Sequence, residues 1–198
     1  MFNEMEKFIC FFNSHKFRKL PALERAGVAH TYFESIHPFE DGNGRIGRCL
    51  VEKSLSQSIG RPTLISLAKT IEQSRKGYYS ALQSANQTLH IQNWLEYFCK
   101  TCVKAQRMSQ SYIDFLINKA KFYDQFASSL NLRQEKVVKR IFKEGPDGFE
   151  GGLSAENYIA ITKTSRATAT RDLQKLVEIG AFNRSGERKH TRYSLRLF

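Results

Sequence analysis

From Met5 to about Phe126, apolar residues recur at spacings of three and four with few strand-like alternations, which predicts helix almost throughout. Leu20, Leu23, Gly27, His30, Phe33 and Ile36 form one such series. Pro21 suits the first turn of that helix. Its end is expected near His37-Pro38, because proline disfavours helical geometry in the residue before it. The next helix is expected to start inside the glycine-rich run that follows and to pass through Cys49, Leu50 and Leu55 to a stop near Gly60-Arg61-Pro62. A third reads from about Ser66 to Asn86, with Leu67, Ile71, Tyr78 and Leu82 on related faces. A fourth starts near Asn93 as its N-cap and carries Leu95, Phe98, Cys102, Ile113, Leu116, Ala120 and Tyr123 without internal Gly or Pro, as one long helix or two.

After Ser128-Ser129-Leu130-Asn131 the texture changes, and glycine and proline punctuate the chain at Gly145-Pro146-Asp147-Gly148 and Gly151-Gly152. A boundary near residue 130 divides a helical domain, 1–130, from a smaller one, 131–198. Three short helical patterns follow it: Gln134 to Lys143, Ser154 to Ile161, and Ser165 to Ile179 closed by Gly180. Asn183-Arg184-Ser185-Gly186 reads as the turn between Ala181-Phe182 and an alternating strand at Tyr193, Leu195 and Leu197. Three helices and a hairpin describe a winged helix. The fold class expected is mainly α, a helical bundle followed by a small winged-helix domain.

Composition adds location and partners. With 41% hydrophobic and 12% aromatic residues, the 198-residue chain has what a packed core requires. It contains no apolar run of membrane-spanning length, and Met1-Phe2-Asn3-Glu4 does not open a secretory signal, so a cytoplasmic protein with no membrane partner is expected. Cys10, Cys49, Cys99 and Cys102 then read as reduced thiols. The CxxC at Cys99 to Cys102 has no second half at zinc-finger distance and reads as core packing. A net charge of +12 favours anionic partners. Residues 131–198 are the more densely basic, with 14 Lys/Arg against 8 Asp/Glu.

The most informative stretch is His37-Pro38-Phe39-Glu40-Asp41-Gly42-Asn43-Gly44-Arg45-Ile46-Gly47-Arg48. A glycine-rich loop entering a helix aims unpaired backbone N–H groups and the positive end of the helix dipole at one place, which binds phosphate. Gly42 and Gly44 let the backbone curl round an anion. Arg45 and Arg48, three apart on the first turn, offer planar charged donors to outer phosphates. Asp41 is a hard oxygen ligand beside that cradle, and Mg²⁺ usually takes one or two carboxylates plus phosphate oxygens. His37, at the preceding helix end, can be neutral at physiological pH and accept a proton from an attacking hydroxyl.

This run resembles the motif of the Fic family, HPFxxGNGRxxR, at every specified position. The likeness extends upstream to Ala29-His30-Thr31-Tyr32-Phe33-Glu34-Ser35-Ile36 and downstream to Tyr78-Tyr79-Ser80-Ala81-Leu82-Gln83-Ser84-Ala85-Asn86, so it covers most of 1–127. The resemblance implies a Fic-type bundle that transfers AMP from ATP to a Ser, Thr or Tyr hydroxyl of a protein target. It makes His37 the general base and Asp41 the Mg²⁺ ligand, and it gives phosphate binding to Gly42, Asn43, Gly44, Arg45, Gly47 and Arg48. Tyr78, Tyr79 and Asn86 come toward the nucleoside; the plainer reading of the two tyrosines is one core and one surface aromatic. Within the family that this run resembles, Doc-like members have lysine where Gly44 stands and bind the nucleotide reversed, acting as protein kinases, so Gly44 implies nucleotidyl transfer. His30, on an apolar face, reads as a satisfied core histidine.

The family's inhibitory pattern [ST]xxxE[GN] fits none of Glu144-Gly145, Glu150-Gly151 or Glu156-Asn157. Only 36 residues precede His37, and a form lacking its N-terminal inhibitory segment and target-docking hairpin is expected. In the second domain, Ser165 to Leu176 reads as the recognition helix of a helix-turn-helix, with Ala169, Leu173 and Leu176 inward and Arg166, Thr170, Arg171 and Gln174 outward. Arg184 to Arg192 reads as a basic wing. Residues 165–192 are thus open to DNA binding, to homodimerisation or to target docking. Two alternatives stay beside AMP transfer: a DNA-binding regulator whose Fic-like domain senses nucleotide, and a hydrolase removing AMP at the same site.

Overall fold

The computed structural model describes residues 2–87, 90–149 and 151–197, without the side chain of Lys189. Glu150, one of the glutamates tested against the inhibitory pattern, and the Lys189 side chain of the basic hairpin lie outside the described residues. The helices are α1 (Phe2–Asn13), α2 (His15–Arg18), α3 (Ala22–Ile36), α4 (Asn43–Ile59), α5 (Leu67–Gln73), α6 (Arg75–Gln87), α7 (Gln92–Phe126), α8 (Leu132–Lys143), α9 (Ala155–Thr162) and α10 (Arg166–Glu178). An antiparallel pair, β1 (Phe182–Ser185) and β2 (Arg192–Leu195), follows, with Phe182 opposite Leu195 and Ser185 opposite Arg192. The chain divides into two compact units at Gln110/Ser111, inside α7.

The mainly helical expectation holds, and three details of the periodicity reading need correction. The single helix expected from Ser66 to Asn86 is two, because Ser74 leaves helical geometry at φ −131° and ψ 36°. Ser74 is the sort of residue whose short polar side chain tolerates such a break. Asn93 is not the N-cap of α7 but lies within it, and the long pattern is one helix of 35 residues. Asn183, Arg184 and Ser185 are strand rather than turn; the reversal lies beyond them, at Gly186 (φ 71°) and the single 3₁₀ turn Arg188–His190.

In the first unit α3 is the central element, buried along Arg25, Ala26, Gly27, Ala29, His30, Thr31 and Phe33. One side of it meets an aromatic cluster of Phe8, Phe12 and Phe17 from α1 and α2. The other joins Val51 and Leu55 of α4, Tyr78 and Leu82 of α6, and Trp94 and Phe98 of α7. Small residues on α3 let these neighbours come close, and the indole N–H of Trp94 donates to the Gly27 carbonyl at 3.0 Å. A buried guanidinium ties α3 to the helix that carries the motif. Arg25 donates to the Ser54 hydroxyl at 3.1 Å, the Ser54 carbonyl at 2.6 Å and the Ser58 hydroxyl, with no acidic partner among the described residues. Satisfying a buried cation this way makes the α3–α4 relation costly to change.

The second unit packs Phe115, Phe122 and Phe126 of α7 with Val137, Val138, Ile141 and Phe142 of α8, Tyr158 of α9, and Leu173 and Leu176 of α10. Asn131 caps α8 in a reciprocal box with Gln134. The Asp172 carboxylate of α10 accepts from Asn131 at 3.0 Å, Arg133 at 2.8 Å and the Tyr158 hydroxyl at 2.9 Å. Burial acts to raise Asp172, but these bonds outweigh it and hold the carboxyl below its usual range. One acidic side chain thus fixes α8, α9 and α10 to one another. No helix among the described residues is long and apolar enough to cross a membrane.

Candidate active site

The twelve-residue run forms the corner between α3 and α4. α3 ends at Ile36, and His37 follows in the left-handed conformation (φ 48°, ψ 58°), its N–H donating to the Phe33 carbonyl at 3.1 Å. Left-handed geometry is uncommon for a residue with a side chain and stores strain where it occurs. Here it reverses the chain so that five residues, 38–42, reach the start of α4. Gly42 precedes α4 with φ 92°, which glycine adopts without penalty. The imidazole of His37 and the first turn of α4 therefore stand on the same short loop, and His37 is exposed.

Asn43 staples that loop from inside. Its side chain is buried; its Oδ1 accepts the Phe39 N–H at 3.0 Å and its Nδ2 donates to the Phe39 carbonyl. Both amide groups are thus used within the chain, a loop-closing task beside the phosphate contact expected of Asn43. Asp41 is largely exposed. One of its oxygens accepts the Gly42 N–H at 2.7 Å and the other accepts Arg45 Nη2 at 2.9 Å. Asp41 and Arg45 are 91% and 72% exposed, so their pair adds under about 1 kcal/mol and opens readily to a better partner. A carboxylate that can be released, beside a helix N-terminus and two arginines, is a donor set that fits Mg²⁺ carried on a phosphate chain.

Beneath the loop lies a polar cluster. His30 is fully buried between Trp94 and Phe98, at ring separations of 5.9 and 5.8 Å, and its Nε2 shares a proton with the Tyr78 hydroxyl at 2.5 Å. Among the described residues, neither its Nδ1 nor the buried Glu34 Oε1 has a hydrogen-bond partner of good geometry. The expectation of a satisfied core histidine is therefore half met. Both orphan atoms border Gly47: a Cβ there would stand 2.4 Å from Glu34 Oε1 and 2.9 Å from His30 Nδ1. Gly47 is buried, and its missing side chain is the space this pair occupies. Burial raises Glu34, while His37 and Arg48 nearby oppose that shift. Arg48 reaches the same place from above, since a Cβ on Gly44 would lie 3.3 Å from Arg48 Nη1 and 4.0 Å from Glu34 Oε1.

Burial pushes His30 down to about 4, against the Gly47 backbone, which favours the charged form, and together with Arg48, which disfavours it. A histidine held neutral in the fold lets the unfolded chain take up a proton first. Stability contributed by neutral His30 is therefore full above about pH 6.5 and lost as pH falls toward 4, by up to about 3 kcal/mol. Glu34 acts oppositely in a lower window, because its raised carboxyl binds a proton in the fold before it does in the unfolded chain. Urea denaturation at pH 7.5 and 5.5 is expected to show the lower stability at 5.5; equal stability would place His30 in a more hydrated site.

Of the residues expected near the nucleoside, Tyr78 is in the core with its hydroxyl engaged by His30, and burial raises it. Tyr79 beside it is 54% exposed, with Arg75 stacked over its ring at 5.8 Å. Asn86 is exposed and accepts the Ser35 hydroxyl at 2.7 Å, which ties the end of α6 to α3. Glu34 is the site residue that periodicity did not single out. Its signal was there: an acid one turn after His30 and one turn before His37, on a helix otherwise buried.

Residues 1–55 match the Fic/DOC family. The matched segment holds α1 to α3, the loop and most of α4, including the whole run from His37 to Arg48. A probable protein adenylyltransferase of Aquifex aeolicus is 34% identical over 70 residues, 35% of this chain and 20% of that protein. The protein adenylyltransferase Fic of Drosophila mojavensis is 35% identical over 83 residues, 42% of this chain and 16% of that protein. A protein adenylyltransferase of Caenorhabditis elegans is 32% identical over 83 residues, covering 15% of its length. These Fic relatives are thus matched over a fifth of their length or less. A crystal structure of a Fic family protein from Desulfovibrio desulfuricans G20 resembles this chain at TM-score 0.49 and 20% identity, over 98% of this chain and 54% of that one.

Proposed function

We propose that this chain is a nucleotidyltransferase that moves AMP from ATP to a hydroxyl of a protein side chain. The observation that carries the reading is the juxtaposition in the α3–α4 corner: an exposed His37 held left-handed at one end of the loop, and an open helix N-terminus with Arg45 and Arg48 at the other. The Fic family match over that corner and relatives named as adenylyltransferases support it.

In this reading the first-turn N–H groups of α4, with Gly42 and Gly44, receive the phosphates, and Arg45 leaves Asp41 to join Arg48 on them. Mg²⁺, when bound through Asp41, offsets phosphate charge and steadies the leaving pyrophosphate. His37 accepts the proton of the attacking hydroxyl as its oxygen bonds to the α-phosphorus and the bond to the pyrophosphate oxygen breaks. Positioning and charge stabilisation supply the rest of the barrier lowering. Tyr79 and Asn86 stand on α6 as nucleoside contacts. Residues 131–198 are read as a winged helix appended to this enzyme.

The test is incubation of the chain and candidate proteins with Mg²⁺ and ATP labelled at either the α- or the γ-phosphate. Label is expected on protein from α-labelled ATP alone. Transfer from γ-labelled ATP would make the chain a kinase, and no transfer with tight ATP binding would make it a nucleotide sensor.

A further inference from the structure

The second unit contains a cleft of about 400 Å³ between α10 and the hairpin. One wall is the stripe Arg166, Thr170 and Gln174, residues one turn apart on α10; the other is Arg184, Arg188 and Tyr193. Glu156 is the one acid on its lining and pairs with Arg166 at 3.4 Å. Arg184 and Arg188 are exposed and have no acidic partner among the described residues. Three guanidinium groups round one concavity, with a single carboxylate between them, leave it electropositive, and low-dielectric walls focus that field inward.

The backbone contributes to this arrangement. Arg188 is left-handed at φ 48°, a conformation that long side chains rarely hold, and it opens the single 3₁₀ turn that closes the hairpin. Strain of that kind is tolerated where surrounding structure uses it, and the side chain so placed lines the cleft. Arg166, Thr170, Arg171 and Gln174 are exposed, as expected from sequence, and all but Arg171 also line this space. The concavity they share with the hairpin is of small-ligand size, in the range of about 300 to 1,000 Å³.

We propose that this cleft binds the phosphate group of a small soluble molecule, nucleotide-sized or smaller. Arg184 and Arg188 supply forked donors to its oxygens, the geometry in which guanidinium outperforms ammonium. Thr191 and the second amide N–H of Gln174 supply neutral donors, while the Thr170 hydroxyl donates to the Arg166 carbonyl, and Ala155 and Val177 form an apolar wall for the remainder of the ligand. The proposal stands independently of AMP transfer at His37.

The test is titration of the full chain with inorganic pyrophosphate and, separately, with AMP, followed through the arginine Nε–Hε NMR signals. Saturable shifts of Arg184 and Arg188 are expected with at least one probe. The double variant Arg184→Gln/Arg188→Gln, both exposed and so expected to keep the wild-type circular dichroism, should bind at least about tenfold more weakly. The double variant Arg45→Ala/Arg48→Ala should retain the cleft shifts, which separates this site from the α4 loop. Absence of saturable shifts with both probes overturns the proposal, as does equal affinity in the Arg184→Gln/Arg188→Gln chain. Duplex DNA that needs those two arginines, when neither small probe moves them, overturns it in favour of a nucleic-acid backbone.

Discussion

His37→Ala is expected to lower incorporation of α-label into protein by about 10²- to 10⁴-fold, the usual contribution of a positioned general base. ATP affinity should change by less than about threefold, because the groups proposed to receive phosphate sit on α4 while His37 caps α3. The left-handed backbone at His37 sharpens the expectation. Alanine keeps that strained geometry at similar cost, so the fold of the loop should persist and the loss should fall on the transfer rate. His37→Asn, which tolerates the left-handed region better than alanine, should be as stable as wild type and equally inactive. Measuring transfer rate and ATP binding on both variants checks this. Equal labelling by wild type and either variant would remove His37 from the chemistry.

Gly47→Ala is the second large effect, and its sign opposes what helix propensity suggests. In an exposed helix the change would stabilise by about 1 kcal/mol. Here the new methyl would stand 2.4 Å from Glu34 Oε1 and 2.9 Å from the His30 ring. Neither neighbour can retreat easily, since His30 lies between Trp94 and Phe98 with its far nitrogen on Tyr78. Overpacking of this kind costs about 1 to 3 kcal/mol, and the gain in propensity offsets only part of it. The variant should unfold at lower urea concentration than wild type. Adding Glu34→Ala, which removes the closest atom, should recover part of the loss. Gly47→Ala stability at or above wild type would mean that the α3–α4 contact gives way more easily than its geometry implies.

The Glu34–His30–Gly47 contact also marks where sequence reading stopped. Each residue was in view beforehand: His30 in an apolar series, Gly47 inside the motif, Glu34 in the upstream helix. Periodicity assigned His30 to the core because it follows apolar neighbours at helical spacing, and there it is. What periodicity does not contain is the distance between faces of two helices. That distance left Nδ1 of His30 and Oε1 of Glu34 without hydrogen-bond partners among the described residues and made Gly47 a packing position. Asn43 shows the same limit, for its resemblance-based place at the phosphates says nothing of its pairing with both backbone groups of Phe39.

Strong local signals were legible. Pro38 stopped α3 where proline must, the patterns beginning at Ser154 and Ser165 opened α9 and α10 within a residue, and the GNG run opened α4, whereas α8 starts at Leu132 behind its cap Asn131 rather than at Gln134. Weak ones were not. Ser74 breaks a pattern that would continue across it, and the reversal between β1 and β2 fell several residues later than its polar composition suggested.

By itself, then, the sequence determined the helical class, several element boundaries and where the candidate site residues from His37 to Arg48 collect, because caps, prolines, glycines and apolar spacing act over a few residues. Only the tertiary structure decided what those residues face. It turned His37 left-handed at a loop stapled by Asn43, paired Asp41 with Arg45 and set Glu34 and His30 under Gly47. It also closed the Arg166 stripe of α10 against the hairpin as a cleft. Those relations depend on how closely separate helices approach, which is fixed by volumes packed from distant parts of the chain rather than by any local preference.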